Sequence, residues 1–437
     1  FPYGMGPMAS MAGRPNLGHN AMNWKTFITL AMSTVLPGIH LAVSCQDNEN
    51  EPNSISCEIP PNSNRYCELW ATMDSVHQGI GGELSILHVG GSHVQAGWIG
   101  HFMREQLALW SPQAIWSKGL MLPYRLAKTN TPTHFRTEMS GSWQGSRCTR
   151  KTWDEINSDV GSGTGIQVRT GSPASTLQHV AFLPDSSKFS ANTFDIWTNA
   201  RTSEISFYNA GSDANMTPLI DQSGWRIVLS TPVDTFRLSL QSAANRSIPI
   251  AYEGTYSQIA TAAPRMTYNE WGHNGLHIRD MRKCVGLQKL VKRMQPDLVI
   301  IGIGLNDAID KHGFDIGQFS ADYSVLMRQL EKRLPNAAFL LLSNTHVHPT
   351  NETTAKHSNE IKAFLRAHAE STGCGFFDLG AAIGGNESTA DWMTNDWMKS
   401  DGIHFHSSGY QRIAGLLYDA LHQAFQHHLS CENPTEK

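Results

Sequence analysis

From Leu84 the chain turns apolar: the run SILHV precedes a Gly-Gly turn and then VQAGWIGHFMREQLALW, whose apolar residues recur at helical spacing. The predicted elements are a strand, a tight turn and a helix. Further buried-strand runs open PDLVIIGIG at Pro296, AAFLLLSN at Ala337 and, more weakly, GFFDL at Gly375. Between them IRDMRKCVGLQKLVKRM, FSADYSVLMRQLEKRL and TTAKHSNEIKAFLRAHAE read as amphipathic helices, and SSGYQRIAGLLYDALHQAFQHHL predicts a long final one. Apolar strands alternating with amphipathic helices imply a parallel sheet covered on both faces.

The middle of the chain has a different period. From about Gly161 to Ala263 it is rich in Ser, Thr and Asn, and TGIQVRT, LQHVAFLP, FDIWTNA, SEISFYNA, WRIVLS, TFRLSLQS and IPIAYEG alternate apolar with polar residues. Short strands separated by turn residues predict an all-β sandwich inserted in the α/β domain after its first strand-turn-helix unit. The expected division is a first α/β part over residues 67–145, the insert over 146–264, and a second α/β part over 265–437. A chain of 437 residues suits two folded units plus a leader.

Residues 22–45, MNWKTFITLAMSTVLPGIHLAVSC, place one positive charge at Lys25 before a mainly apolar run and small residues before a cysteine. That is the layout of a bacterial lipoprotein signal peptide, with Cys45 as the lipidated residue. Pro37 and His40 interrupt the run, which is short for a membrane span. Residues 46–66 are acidic and rich in Asn and Pro, as a flexible tether would be. Residues 1–21 are read as upstream sequence outside the fold. The expectation is an exported protein on the outer membrane or cell surface, or facing the periplasm, attached to membrane only through its lipid.

Composition narrows the function. A formal charge of -4 without a basic stripe argues against nucleic acid as a partner. The seven cysteines form no CxxC pair and no Cys/His cluster at zinc spacing, so no metal site is expected; Cys57 with Cys67 is the pair nearest in sequence for a disulfide.

Separated segments contain what acyl transfer requires. In HVGGSHVQAG, Ser92 sits just past a strand on a turn into a helix, which would project its hydroxyl at the sheet's carboxyl end; alone, the segment reads as readily as a helix N-cap. SDGIHFHSSGY supplies Asp401 and His404 three residues apart, so that a carboxylate can hold an imidazole facing a serine. His88, His93 and His406 lack an Asp at that spacing and read as ordinary polar or core residues. WGHNGLH and GIGLND offer oxyanion donors in a glycine N–H and the Asn306 amide, while Asp307 reads as a helix cap.

The order Ser, Gly, Asn, His in these contexts resembles the four blocks of SGNH (GDSL-like) hydrolases, over roughly residues 80–105 and 265–425. The resemblance implies a flavodoxin-like three-layer α/β/α sandwich with about five parallel strands. It implies Ser92 as nucleophile, Asp401 and His404 as its partners, and an oxyanion hole from Ser92, Gly275 and Asn306, with no cofactor. One departure is Gly91, where the family usually has Asp. An α/β domain split by a β-sandwich resembles the peptidoglycan O-acetylesterase branch, as does the stretch KGLMLPYRLAKTNTPTHFRTEMSGSW, Lys118 to Trp143. The implied substrate is an acetylated polysaccharide or peptidoglycan. Trp197, Tyr208 and Trp225 are candidates for stacking on sugars or for the sandwich core. A glycan O-acetyltransferase using the same residues, or a weakly catalytic glycan-binding lipoprotein, are the competing readings.

Overall fold

Six runs of chain assemble into one sheet in which every pairing is parallel. In the computed structural model, which describes residues 57–60, 63–153, 160–207, 213–243, 246–284, 286–310, 312–345 and 352–432, these are β1 (Glu83–Gly90), β2 (Ile115–Ser117), β3 (Arg265–Gly272), β4 (Leu298–Gly302), β5 (Ala338–Leu342) and β6 (Gly375–Phe377). Their order across the sheet is β6-β5-β4-β1-β3-β2. Without the short edge strand β2 this is the flavodoxin order, with its switch point beside β1, where chains leave in both directions and open a crevice at the carboxyl ends. The fold is therefore the expected flavodoxin-like α/β sandwich, with six strands rather than about five.

Helices cover both faces. On one, α1 (Asn64–His77) and α3 (Trp98–Trp110) pack with the final helix α8 (Ser407–Glu432): Trp70 meets Phe425 at 5.9 Å and His77 stacks on Trp110 at 4.8 Å. On the other lie α5 (Leu287–Met294), α6 (Ile316–Arg333) and α7 (Glu352–Thr372), joined through pairs such as Tyr323 with Phe364. β4 and β5 are apolar and buried along nearly their whole length, as strands covered on both sides must be.

Two predicted helices are broken. The run after Ser92 divides into α2 (Ser92–Gln95) and α3, because Gly97 adopts φ +77 and a side chain there would strike Pro132 and His134. The run from Ile278 divides into α4 (Ile278–Met281) and α5, where the turn at Gly163 comes against the backbone of Gly286 and Leu287.

The inserted β region forms two antiparallel sheets. The larger has strands 214–218, 224–233, 191–198, 250–258, 166–170 and 144–147 in spatial order, with 119–121 also pairing to 250–258; the smaller orders 135–140, 175–181, 236–240 and 205–207. Each of the seven alternating segments contributes a strand. Strands 119–121, 135–140 and 144–147 start before the expected boundary at 146; they are short, and Pro123 and Pro132 interrupt the sequence pattern there.

The tether ends earlier than expected. Glu58 exchanges backbone hydrogen bonds with Phe376, Arg366 pairs with the Glu58 carboxylate at 2.9 Å, and the buried Tyr66 donates its hydroxyl to Phe339 O at 2.8 Å, so both the 57–60 segment and α1 pack on the α/β domain. Cys57 and Cys67 are both free thiols and form no bridge: Cys57 is buried while Cys67 is exposed on α1. Residues 1–56, with the signal segment and Cys45, lie outside the described residues, as does Tyr208. Trp197 is a core residue, 2% exposed, and Trp225 is half-buried with its indole N–H donating to Ala200 O at 2.8 Å.

Candidate active site

Three neighbouring strands end at one rim of the sheet, and each delivers a predicted residue there. β1 leads through Gly91 to Ser92, β3 to Gly275, and β4 to Asn306 in a short helical turn, Leu305–Ala308. The fourth contribution is a tight loop before α8. Met398 and Phe405 form an antiparallel bridge, Lys399 N–H donates to His404 O at 2.8 Å, and His406 N–H donates to Trp397 O at 2.9 Å. This pinching presents Asp401 and His404 toward the strand ends.

The structure brings Ser92, His404 and Asp401 into a line. Ser92 Oγ lies 2.9 Å from His404 Nε2, and His404 Nδ1 lies 2.8 Å from Asp401 Oδ2. Asp401 Oδ1 accepts from the backbone N–H groups of His404 at 2.9 Å and Ile403 at 3.0 Å. Burial pushes the Asp401 carboxyl up, but the bonds from His404 and Ile403 outweigh it and hold the group below the usual carboxylate range. An ionised carboxylate only accepts, so Nδ1 carries the imidazole proton and Nε2 is left to accept from the serine hydroxyl. Asp401 is 47% exposed on its side chain, so orientation of the ring matters more than an ion pair screened by water.

The three rival histidines, His93, His88 and His406, have other partners. His93 places Nδ1 2.9 Å from Tyr410 Oη and packs its ring 5.6 Å from that of His404; burial first, then repulsion from His404, pushes it down to about 3, so it stays neutral. His88 is buried with Nδ1 2.9 Å from Tyr268 Oη, and His406 lies 3.2 Å from Asp396. Asp307 accepts the Ile278 N–H with both carboxylate oxygens, at 3.2 and 3.1 Å, which caps α4 rather than its own helix.

Candidate donors share one cleft with the imidazole. The Asn306 amide gives one N–H to Leu276 O at 3.0 Å, which fixes the group and leaves its second N–H. A Cβ on Gly91 would come 3.0 Å from Asn306 Nδ2, so the missing side chain lets the amide close up behind the serine. Nothing lies within 4 Å of where a Gly275 side chain would project. Ser92, Gly275, Asn306 and His404 share the wall of a cleft of about 620 Å³. Together they bring a hydroxyl, an imidazole and N–H groups to one cleft, the kinds of group that acyl transfer uses.

Sequence reasoning missed much of that wall. Trp98, Asn130, Thr131, Thr133, Asn274 and Lys399 also line it. Trp98 opens α3 within a run read only as a helix, and the threonines lie in the stretch 118–143, whose loop pattern carries no periodic signal. Among the described residues no group of His, Cys, Asp and Glu is arranged to hold a metal ion.

Residues 247–412 match the GDSL-like Lipase/Acylhydrolase family, a span that takes in Gly275, Asn306, Asp401 and His404 but not Ser92. A solved structure described as peptidoglycan O-acetylesterase in action is 20% identical and aligns over 82% of this chain and 96% of that one with a TM-score of 0.64, a likeness of fold. A family 3 carbohydrate esterase from Talaromyces cellulolyticus is 18% identical over 39% of this chain and 77% of that one, with a TM-score of 0.29. A lipase/acylhydrolase from Enterococcus faecalis is 17% identical over 36% and 77%, with a TM-score of 0.30. At such scores these two add no weight. No curated protein matches the sequence.

Proposed function

We propose that this chain, whose residues 247–412 match the GDSL-like Lipase/Acylhydrolase family, is a serine esterase that removes acetyl groups from a glycan through an acyl-enzyme on Ser92. The observation that carries this reading is the hydrogen-bonded line from Ser92 Oγ through His404 to Asp401, at 2.9 and 2.8 Å, opening onto the cleft. Ser92 Oγ attacks the acetyl carbonyl as His404 Nε2 takes its proton. The oxyanion is met by the N–H groups of Ser92 and Gly275 and the free N–H of Asn306. Collapse expels the sugar alcohol, which leaves with the proton from His404. Water, activated by the same imidazole, then releases acetate.

The glycan reading is supported by the character of the cleft. Trp98 gives a flat apolar face and Asn130, Thr131, Thr133 and Asn274 give hydrogen-bonding groups around it, a combination suited to a sugar ring. The volume of about 620 Å³ exceeds what an acetyl group alone requires. Acetate release from a panel of acetylated glycans, by the wild type and by Ser92→Ala, is the test. Acetate from the wild type alone supports the esterase. Acetyl appearing on an acceptor glycan instead marks a transferase, and no turnover by either protein marks a binding protein. Export as a lipoprotein anchored at Cys45 belongs to the same proposal and rests on the signal-like pattern of residues 22–45; incorporation of a labelled fatty acid tests it.

A further inference from the structure

Gln95 is a polar side chain only 1% exposed, at the end of the one-turn helix that begins with Ser92. Its amide is fully used. Oε1 accepts from the Asn274 N–H at 2.6 Å, and Nε2 donates to Asn130 O at 2.7 Å and to Thr129 Oγ1 at 2.9 Å. Asn274 immediately precedes Gly275, and Asn130 and Asn274 both line the cleft.

The surroundings explain why a glutamine reaches this far. A side chain on Gly272 would come 2.3 Å from Gln95 N, so the end of β3 lies directly against α2. Other groups hold the end of β3 and residue 273: Tyr124 Oη donates to Gly272 O at 2.9 Å, the Trp271 indole donates to Gly163 O at 3.1 Å, and His273 Nε2 lies 3.1 Å from Thr164 O. Past residue 273, Gln95 takes the Asn274 N–H, while the His277 ring lies 3.0 Å from Gly275 O and Asn306 donates to Leu276 O at 3.0 Å; of these three, Gln95 is the one on the helical turn that carries Ser92. Thr129 Oγ1 also accepts from Arg147 Nη1 at 2.9 Å, so the amide is braced from the β region.

We propose that Gln95 is a positioning residue for the oxyanion hole: it fixes the Asn274–Gly275 segment relative to Ser92, and the Thr129–Asn130 wall of the cleft with it. The nucleophile and the clamp on its oxyanion donor then ride on the same helical turn and keep one register. The inference rests on the esterase reading for its effect on rate, whereas the clamp itself is a property of the fold.

Two measurements on the full chain separate these. In Gln95→Ala, amide hydrogen exchange of the segment around Asn274 and Gly275 should accelerate while that of β1 and α8 is unchanged; unchanged exchange at Asn274 overturns the proposal whether or not the protein is an esterase. With a chromogenic acetyl ester, kcat per competent site, counted by stoichiometric labelling with a serine-directed phosphonate, should fall about 10- to 100-fold with KM moving less than about threefold, as a misplacement near 1 Å would cause. A purely structural role would lower the number of competent sites and leave kcat per site intact, and that result also overturns it. Thr129→Val keeps the Gln95 bond to the Asn274 N–H but loses the Thr129 contacts with the Gln95 and Asn274 amides, so its kcat should lie between those of the wild type and Gln95→Ala. Absence of turnover in the wild type sinks the esterase reading and leaves exchange to decide the clamp.

Discussion

In the proposed reaction Asp401 acts through the position of one proton. With both carboxylate oxygens accepting, the imidazole has a single useful tautomer, and Ser92 faces its basic nitrogen. Replacing Asp401 by Asn offers an amide that can donate to Nδ1 and stabilise the opposite tautomer. Asp401→Asn should therefore lower kcat by about 10²- to 10⁴-fold with little change in KM. Steady-state kinetics on an acetyl ester check this, and a loss below about fivefold would show that the carboxylate does not set the tautomer. A second carboxylate gives a stability prediction. Burial pushes the Asp297 carboxyl up to about 6, against the Ser85 N–H that donates to it at 2.7 Å and with the repulsion of Glu83. A raised acid favours the fold fully below its ordinary value near 3.8, and that advantage is lost as pH rises through about 6. Asn keeps an oxygen for Ser85 and carries no charge, so Asp297→Asn should add on the order of 2 kcal/mol above pH 7 and nothing below pH 4. Denaturant unfolding at the two pH values measures it; an equal gain at both would refute the assignment. The meeting of Ser92, Asp401 and His404 was legible because a hydroxyl, an imidazole and a carboxylate in these local contexts leave a trace in sequence. Gln95 was not, since a buried glutamine in an apolar helical run leaves no periodic trace and its partners are distant in the chain.

The strands differ in how openly they announce themselves. β4 and β5 are apolar and were readable from composition alone, whereas β3, RMTYNEWG, is just as buried and was not read as a strand. Its polar residues are matched one by one: Asn269 accepts from Leu120 N–H at 2.9 Å, and Thr267 donates to Glu83 at 2.8 Å. Glu270 meets Arg104 at 2.7 Å and His134 at 3.0 Å, all buried. Burial pushes the Glu270 carboxyl up, but His134 and Arg104 outweigh it and keep it ionised. Helix α3 makes room for this cluster at Gly100, where a Cβ would come 2.2 Å from Glu270 Oε1. Helix propensity alone favours Gly100→Ala by about 1 kcal/mol. Displacing Glu270 from its buried partners costs about 3–5 kcal/mol, so the net effect should be clear destabilisation. Denaturant midpoints decide between them, and a variant as stable as the wild type would mean that the cluster can rearrange freely.

Across the whole chain the antiparallel sheets and the parallel sheet share buried bonds. The Trp271 and Tyr124 contacts hold the end of β3, from which the loop with Gly275 leaves, so the β region helps to build the rim where the candidate triad sits. The sequence showed the insert through its change of period, but not this dependence, which arises only when residues 108 and 148 positions apart meet. The expected lipid anchor also concerns the whole molecule. If Cys45 is acylated, Cys45→Ser should move the protein from the membrane fraction to the soluble exported fraction without lowering kcat; unchanged membrane association would reject the anchor. The central claim is that an acyl group passes through Ser92, and its most direct test is mass spectrometry of protein quenched in acid during turnover of an acetyl ester. The account predicts one acetyl group on the peptide containing Ser92, absent in Ser92→Ala; turnover with no acetyl there, or with the adduct on another residue, would contradict it.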